Sequence, residues 1–128
     1  MCIRDRKKGC ADRVQWWGPV SEEKKRDLYA RSLGVLFPPI DEDYGYITLE
    51  AMLAKKPVIT CTDSGGPLEF VIDHQTGIVA DPTPEALAAA MDGLWEDRER
   101  VRQWGDAGRQ RYSDLRIGWD HVVEKLLA

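Results

Sequence analysis

At 128 residues, with 43% hydrophobic and 31% charged residues, the chain has the size and composition of one ordinary globular domain with one core. A formal net charge of −4 and a pI near 5.2 exclude a function built on a broad basic patch, because attraction to nucleic acid or anionic lipid relies on clustered Lys and Arg. No apolar run approaches the roughly 20 residues of a transmembrane helix, and the cysteines Cys2, Cys10 and Cys61, without metal-ligand spacing, fit a reducing, cytoplasmic setting.

In chain order, residues 1–13 are charged and aperiodic and read as a disordered or non-native leader, leaving residues 14–128 as the folded domain. Val14–Trp17 predicts a strand ended by Gly18-Pro19. Ser21 then offers a helix N-cap, Glu22 and Glu23 suit the first turn, and Leu28, Tyr29 and Leu33 give a modest apolar face. Gly34–Phe37 predicts a second strand, stopped by Pro38-Pro39, which cannot donate to a ladder. After the acidic loop Asp41–Tyr44, residues Tyr46–Lys55 predict a helix apolar nearly all round and therefore buried on most sides.

Pro57–Cys61 is the continuous β-branched run of a buried parallel strand, with Thr62–Pro67 as its exit loop. Leu68–Ile72 predicts one helical turn, Asp73–Gly77 a turn, and Ile78–Ala80 a short strand. Thr83 as N-cap and Pro84 in the first helical position open a helix with Leu87, Ala90, Met91, Leu94 and Trp95 on one face. Two further amphipathic segments follow, one with Val101, Trp104, Gly108 and Tyr112, the other with Trp119, Val122, Val123, Leu126 and Leu127. Strands alternating with helices across short loops imply an α/β class: a Rossmann-like parallel sheet flanked by helices, with further helices at the C-terminal end.

In such sheets ligands bind beyond the carboxyl ends of the strands, where helix N-termini present free amides to anions. Two loops qualify, Pro38–Gly45 and Thr62–Pro67. The first carries Glu42, then Gly45, where backbone can approach a ligand, then a helix bearing Thr48 and Glu50. Glu50 has the apolar neighbours Ile47, Leu49, Ala51, Met52 and Leu53, so its carboxylate needs a partner. Lys55, Lys56, a backbone N–H or solvent would satisfy it, and so would ribose hydroxyls.

The string DEDYGYITLEAMLAKKPVITCTDSGGPLEFV, preceded by GVLFPP and followed by TGIVADPTPEALAAAM, resembles the retaining GT-B glycosyltransferases of the group 1, family 4-like type, which include sucrose, glycogen and mannosyl-transfer enzymes. The likeness runs from about Val14 to Leu127 and rests most on Glu42 and Glu50 with seven residues between them. It implies the C-terminal, donor-binding half of such an enzyme, with an N-terminal acceptor domain outside the sequence. It further implies that Glu42 meets the donor sugar near the reacting carbon and that Glu50 holds the nucleotide ribose. Backbone amides of Tyr44, Gly45, Tyr46 and Ile47 would meet sugar hydroxyls and diphosphate, with a hydrogen bond from Thr48 and the turn Gly18-Pro19-Val20 near the base.

The implied reaction transfers a glycosyl group from a nucleoside-diphosphate sugar, a UDP- or GDP-sugar, to an acceptor hydroxyl with retention, using no metal and no other cofactor. The diphosphate-binding arginine and lysine of the family have no counterpart with strand context here, since Arg4, Arg6, Lys7, Lys8 and Arg13 stand in the leader. The expectation is therefore weak donor binding without transfer by this chain alone. Two other readings fit the same residues: a non-catalytic Rossmann-like binding or regulatory module, and half of a nucleotide-sugar epimerase.

Other conspicuous residues read structurally. His74 and His121 are surface or boundary histidines, Cys61 an inert core thiol, Arg98–Arg102 a solvated helix face, and Trp95, Trp104 and Trp119 packing anchors. Trp16 and Trp17, adjacent on the predicted strand, point to opposite sides, one toward the absent N-terminal region. Gly65-Gly66 forms either part of the ligand cleft or a tight loop that lets two elements approach.

Overall fold

The computed structural model describes residues 9–128. The expectations for Cys2, Arg4, Arg6, Lys7 and Lys8 lie outside the described residues. Within them the elements run α1 (Glu22–Arg31), β1 (Val35–Leu36), α2 (Tyr46–Leu53), β2 (Val58–Cys61), α3 (Pro67–Phe70), β3 (Gly77–Ala80), α4 (Pro84–Glu96), α5 (Arg98–Asp114) and α6 (Trp119–Leu127). The strands form one parallel sheet in the order β1-β2-β3, with Val35 opposite Val58 and Ile59 opposite Ile78. This is the α/β architecture of the sequence reading, a parallel sheet flanked by helices.

The period of two along β2 divides the core. Ile59 packs with Ala90, Leu94, Val101 and Trp104 beneath α4 and α5. Val58 packs with Ala51 and Val71 on the other face, where Tyr29, Val35, Phe37 and Val79 close the cluster. A third group joins Leu49, Met52 and Phe70 to Tyr112 and Leu115 of α5 and its cap. Because β2 is central and covered on both faces, all four of its residues are buried.

The caps form as the residue types dictate. Ser21 accepts from the Lys24 amide at 3.1 Å, Thr83 from Ala86 at 3.2 Å, and Asp97 from Arg100 at 2.9 Å. Two close approaches depend on missing side chains. A Cβ on Gly77 would collide with the Val58 carbonyl, and one on Gly105 with the Lys55 carbonyl, so β3 and α5 close against β2 and the end of α2 only with glycine there. Arg111 further ties α5 to α3 by donating to the carbonyls of Phe70 and Glu69 at 2.8 and 2.7 Å.

Several expectations are corrected. Val14–Trp17 is coil, not strand; Trp16 and Trp17 are 61% and 50% exposed, and Lys24 lies 4.3 Å above the Trp17 ring. Hydrophobicity does not make a strand without a ladder to join, and the described sheet begins at β1. The helix predicted to reach Lys55 stops at Leu53, because Lys55 takes a left-handed backbone with φ 57°. Of the three tryptophans read as packing anchors only Trp104 is buried; Trp95 and Trp119 are 68% and 82% exposed. No residue of α6 is buried.

Candidate functional site

The carboxyl ends of β1 and β2 are continued by two loops that remain zipped together. The Asp41 amide donates to Asp63 O at 2.9 Å, Glu42 to Ser64 O at 3.1 Å, and Gly66 to Glu42 O at 2.6 Å. Gly65 has φ 72°, and a Cβ there would lie 2.7 Å from Glu42 O. One on Gly66 would lie 2.8 Å from Asp43 O. The pair is thus the tight loop that lets the acidic segment settle on the exit loop of β2. The buried Ser64 holds the other side by accepting from the Cys61 amide at 3.0 Å. The neighbouring Cys61 thiol is pushed up from its ordinary pKa, first by burial and then by Asp63 and Asp81, so it stays protonated at neutral pH.

That zipper aims the start of α2. Gly45 caps the helix with φ 75° and packs on Pro67, so the chain turns sharply into the first helical residues. Among the described residues no acceptor takes the amide hydrogens of Tyr44, Gly45, Tyr46 or Ile47. The α2 N-terminus is therefore a set of unsatisfied donors with the positive end of a helix dipole behind it. Tyr44 rests edge-on against Phe70 at 5.4 Å and beside Tyr46 at 4.8 Å; Tyr46 is 72% exposed. Thr48 is fully buried and its hydroxyl has no partner among the described residues, so it sits in the core beneath the helix start.

Glu50 stands one turn along α2 from Tyr46, on the same helix face by the i, i+4 rule. Its carboxylate is half-exposed rather than buried, so solvent reaches it as one of the partners expected from sequence, but neither Lys55 nor Lys56 does. Lys25 Nζ donates to Oε1 at 3.0 Å and the Tyr29 hydroxyl to Oε2 at 3.0 Å. Lys25 is also 3.1 Å from Glu22. Lys55 instead meets Asp106, and Lys56 donates to the carbonyls of Ala30 and Ser32. The hydrogen bonds to Glu50 and Glu22 raise the Lys25 pKa, and burial followed by the Glu50 hydrogen bond pushes the Tyr29 hydroxyl well above its usual range. At neutral pH both remain donors toward the carboxylate.

These side chains line a cleft of about 370 Å³ between α1 and α2, formed by Glu22, Lys25, Arg26 and Tyr29 on one side and Glu50, Leu53 and Ala54 on the other. Glu42 does not line it; this side chain lies on the exposed loop ahead of α2. The structure therefore brings Glu50 together with α1, and sets the free amides one turn away along the same helix, with Glu42 beyond them.

Lys25 and Tyr29 were missed in the sequence, where Ser21–Glu23 reads as a cap and Tyr29 as part of an apolar face. The usable signal was their i, i+4 spacing, which sets both on one face of the predicted helix. Among the described residues no helix is long and apolar enough to cross a membrane.

A glycine-capped helix start beyond the carboxyl ends of a parallel sheet is a place where α/β folds of this kind receive anionic ligands. Residues 4–111 match the family described as glycosyl transferases group 1, and the chain belongs to that family. It is 34% identical over 114 residues to alpha-1,3/1,6-mannosyltransferase ALG2 of Dictyostelium discoideum, covering 88% of this chain and 27% of that protein. It is 31% identical over 111 residues to alpha-maltose-1-phosphate synthase of Mycolicibacterium smegmatis, covering 81% of this chain and 28% of that one. Sucrose-phosphate synthase from Thermosynechococcus elongatus superposes with a TM-score of 0.86 at 27% identity, over 96% of this chain and 31% of that structure. Anabaena Alr3699/HepE, solved with UDP and glucose, shares the fold with a TM-score of 0.81 at 24% identity, over 96% of this chain and 34% of its own. The chain thus spans about a third or less of each of these four relatives, and its fold is that of the C-terminal part of a GT-B glycosyltransferase.

Proposed function

We propose that this chain is the nucleotide-sugar-binding half of a retaining glycosyltransferase that moves a sugar from a UDP- or GDP-sugar to an acceptor hydroxyl. The carrying observation is the run of unsatisfied amides at the α2 N-terminus with the half-exposed Glu50 carboxylate one turn further along the same face. Glu50 lies four positions after Tyr46 along the helix, about 6 Å of rise. A ribose whose hydroxyls meet Glu50 carries its 5′ diphosphate a comparable distance away, toward the amides. Hydrogen bonds from amides to a diphosphate strengthen as the leaving group gains charge, so they favour the transition state over the bound donor.

In this reading the amides of Tyr44, Gly45, Tyr46 and Ile47 bind diphosphate and sugar hydroxyls, and Glu42, ahead of them on the exposed loop, meets the transferred sugar near its anomeric carbon. Thr48 contributes packing, its enclosed hydroxyl being out of reach of a ligand. The group 1 relatives, which include a mannosyltransferase and a D-inositol 3-phosphate glycosyltransferase by name, support the donor class.

Calorimetric titration of the 128-residue chain with UDP, GDP and their hexose conjugates tests this directly. Glu50→Gln is expected to weaken free nucleotide and nucleotide sugar alike by roughly tenfold, the worth of a hydrogen bond to a charged group. Glu42→Gln is expected to weaken only the sugar-bearing ligands. Unchanged nucleotide affinity in Glu50→Gln would overturn the assignment.

A further inference from the structure

We propose that Lys25 and Tyr29 are positioning residues that fix the Glu50 carboxylate to receive two adjacent hydroxyls, making the cleft selective for a ribonucleotide over its 2′-deoxy counterpart. This rests on the nucleotide reading above and adds to it a pair of residues on a different helix.

An ionised carboxylate offers about four lone-pair sites, two on each oxygen. One donor already occupies each oxygen of Glu50: the Lys25 ammonium at Oε1 and the Tyr29 hydroxyl at Oε2, each at 3.0 Å. One site therefore remains on each oxygen, which suits a vicinal diol, whose two hydroxyls sit on neighbouring carbons. A single hydroxyl uses only one of them.

Both donors are themselves restrained. The Tyr29 ring packs against the cluster of Ala51, Val58 and Val71, and Lys25 is held a second time by Glu22 at 3.1 Å. Four residues apart on α1, they approach Glu50 from the same helix, so the carboxylate plane is set before a ligand arrives. Without them the side chain is free to rotate about its terminal torsion, and binding a diol through both oxygens must order it. The loss falls on the second hydroxyl.

The test compares UDP with dUDP, and GDP with dGDP, on the whole chain, in wild type and in Tyr29→Phe, Lys25→Met and Glu50→Gln. Wild type is expected to prefer the ribonucleotide by roughly tenfold, the value of a hydroxyl donating to a charged acceptor. Tyr29→Phe and Lys25→Met are each expected to bring that ratio to within about threefold while deoxynucleotide binding persists, which also reports that the variants are folded. A fall in both affinities with the ratio preserved would mean the two residues only support the fold, and it overturns the proposal. If Glu50→Gln abolishes the ratio and both α1 variants retain it, the nucleotide site stands and the positioning role fails. If Glu50→Gln does not alter ribonucleotide affinity, the underlying nucleotide reading fails first.

Discussion

Gly65 shows how a residue without chemistry can set a site. Its φ of 72° is disfavoured for any residue with a Cβ, and that atom would press on Glu42 O and N at 2.7 and 2.9 Å. The backbone of the acidic loop, with Glu42 in it, is therefore where it is because position 65 is empty. Gly65→Ala is expected to cost about 1–3 kcal/mol, from left-handed strain and overpacking together. Gly93 is the contrasting case: it lies inside α4, and an added Cβ would meet nothing within 4 Å. Gly93→Ala is expected to stabilise by about 0.5–1 kcal/mol through reduced chain entropy. Urea midpoints followed by circular dichroism decide between them; destabilisation of equal size in the two variants would contradict the close approach of the loops.

At the scale of elements, the two halves of α4 separate a packing face from a solvent face. Leu94 is 4% exposed among Ile59, Val101 and Trp104, whereas the next residue, Trp95, is 68% exposed, with the Arg98 guanidinium 4.3 Å over its ring. Leu94→Ala is expected to cost about 2–5 kcal/mol by opening a cavity. Trp95→Ala is expected to cost about 1 kcal/mol or less, the worth of an exposed cation–π contact. A thermal scan of the two variants reads the difference, and a larger loss at Trp95 would mean that this face is covered. The pair also shows what a sequence can and cannot convey. Periodicity located α4, and the cap and proline at Thr83-Pro84 placed its start at Pro84 as observed. Periodicity did not say how wide the buried stripe is, because that depends on how many neighbours arrive, and Met91 and Trp95 fall at its edge. β2 was legible for the opposite reason, since a β-branched run buried on both faces admits one interpretation. Val14–Trp17 misled because local composition carries no information about a partner strand. Glu42 and Glu50 stand out in the sequence as a spaced pair, but spacing alone did not reveal that only Glu50 lines the α1–α2 cleft, nor which donors it meets, since the contact joins residues 25 and 29 to residue 50 across a strand and a loop.

On the scale of the whole molecule, binding a donor and transferring its sugar make different demands. Binding needs acceptors for ribose hydroxyls and donors for a diphosphate, and the α1–α2 cleft with the α2 N-terminus offers both. Transfer needs in addition an acceptor hydroxyl held in line with the anomeric carbon, an arrangement whose orientation alone contributes about 7–11 kcal/mol of barrier reduction in well-aligned systems. It also needs charge stabilisation around the departing diphosphate; the cations lining the described cleft are Lys25 and Arg26, and Lys25 is already shared by Glu50 and Glu22. The chain covers 27% of the Dictyostelium mannosyltransferase it resembles, so most of that enzyme's length has no counterpart in these 128 residues. We therefore expect the 128-residue chain to bind UDP- or GDP-hexose weakly and to release no glycoside from it. Incubation of the purified chain with radiolabelled donors and simple acceptor alcohols, with chromatography of the products, provides the measurement. Labelled glycoside formed at a rate proportional to chain concentration would show that one half-domain suffices for transfer, and an epimerised donor formed without acceptor would move the activity to a different class altogether.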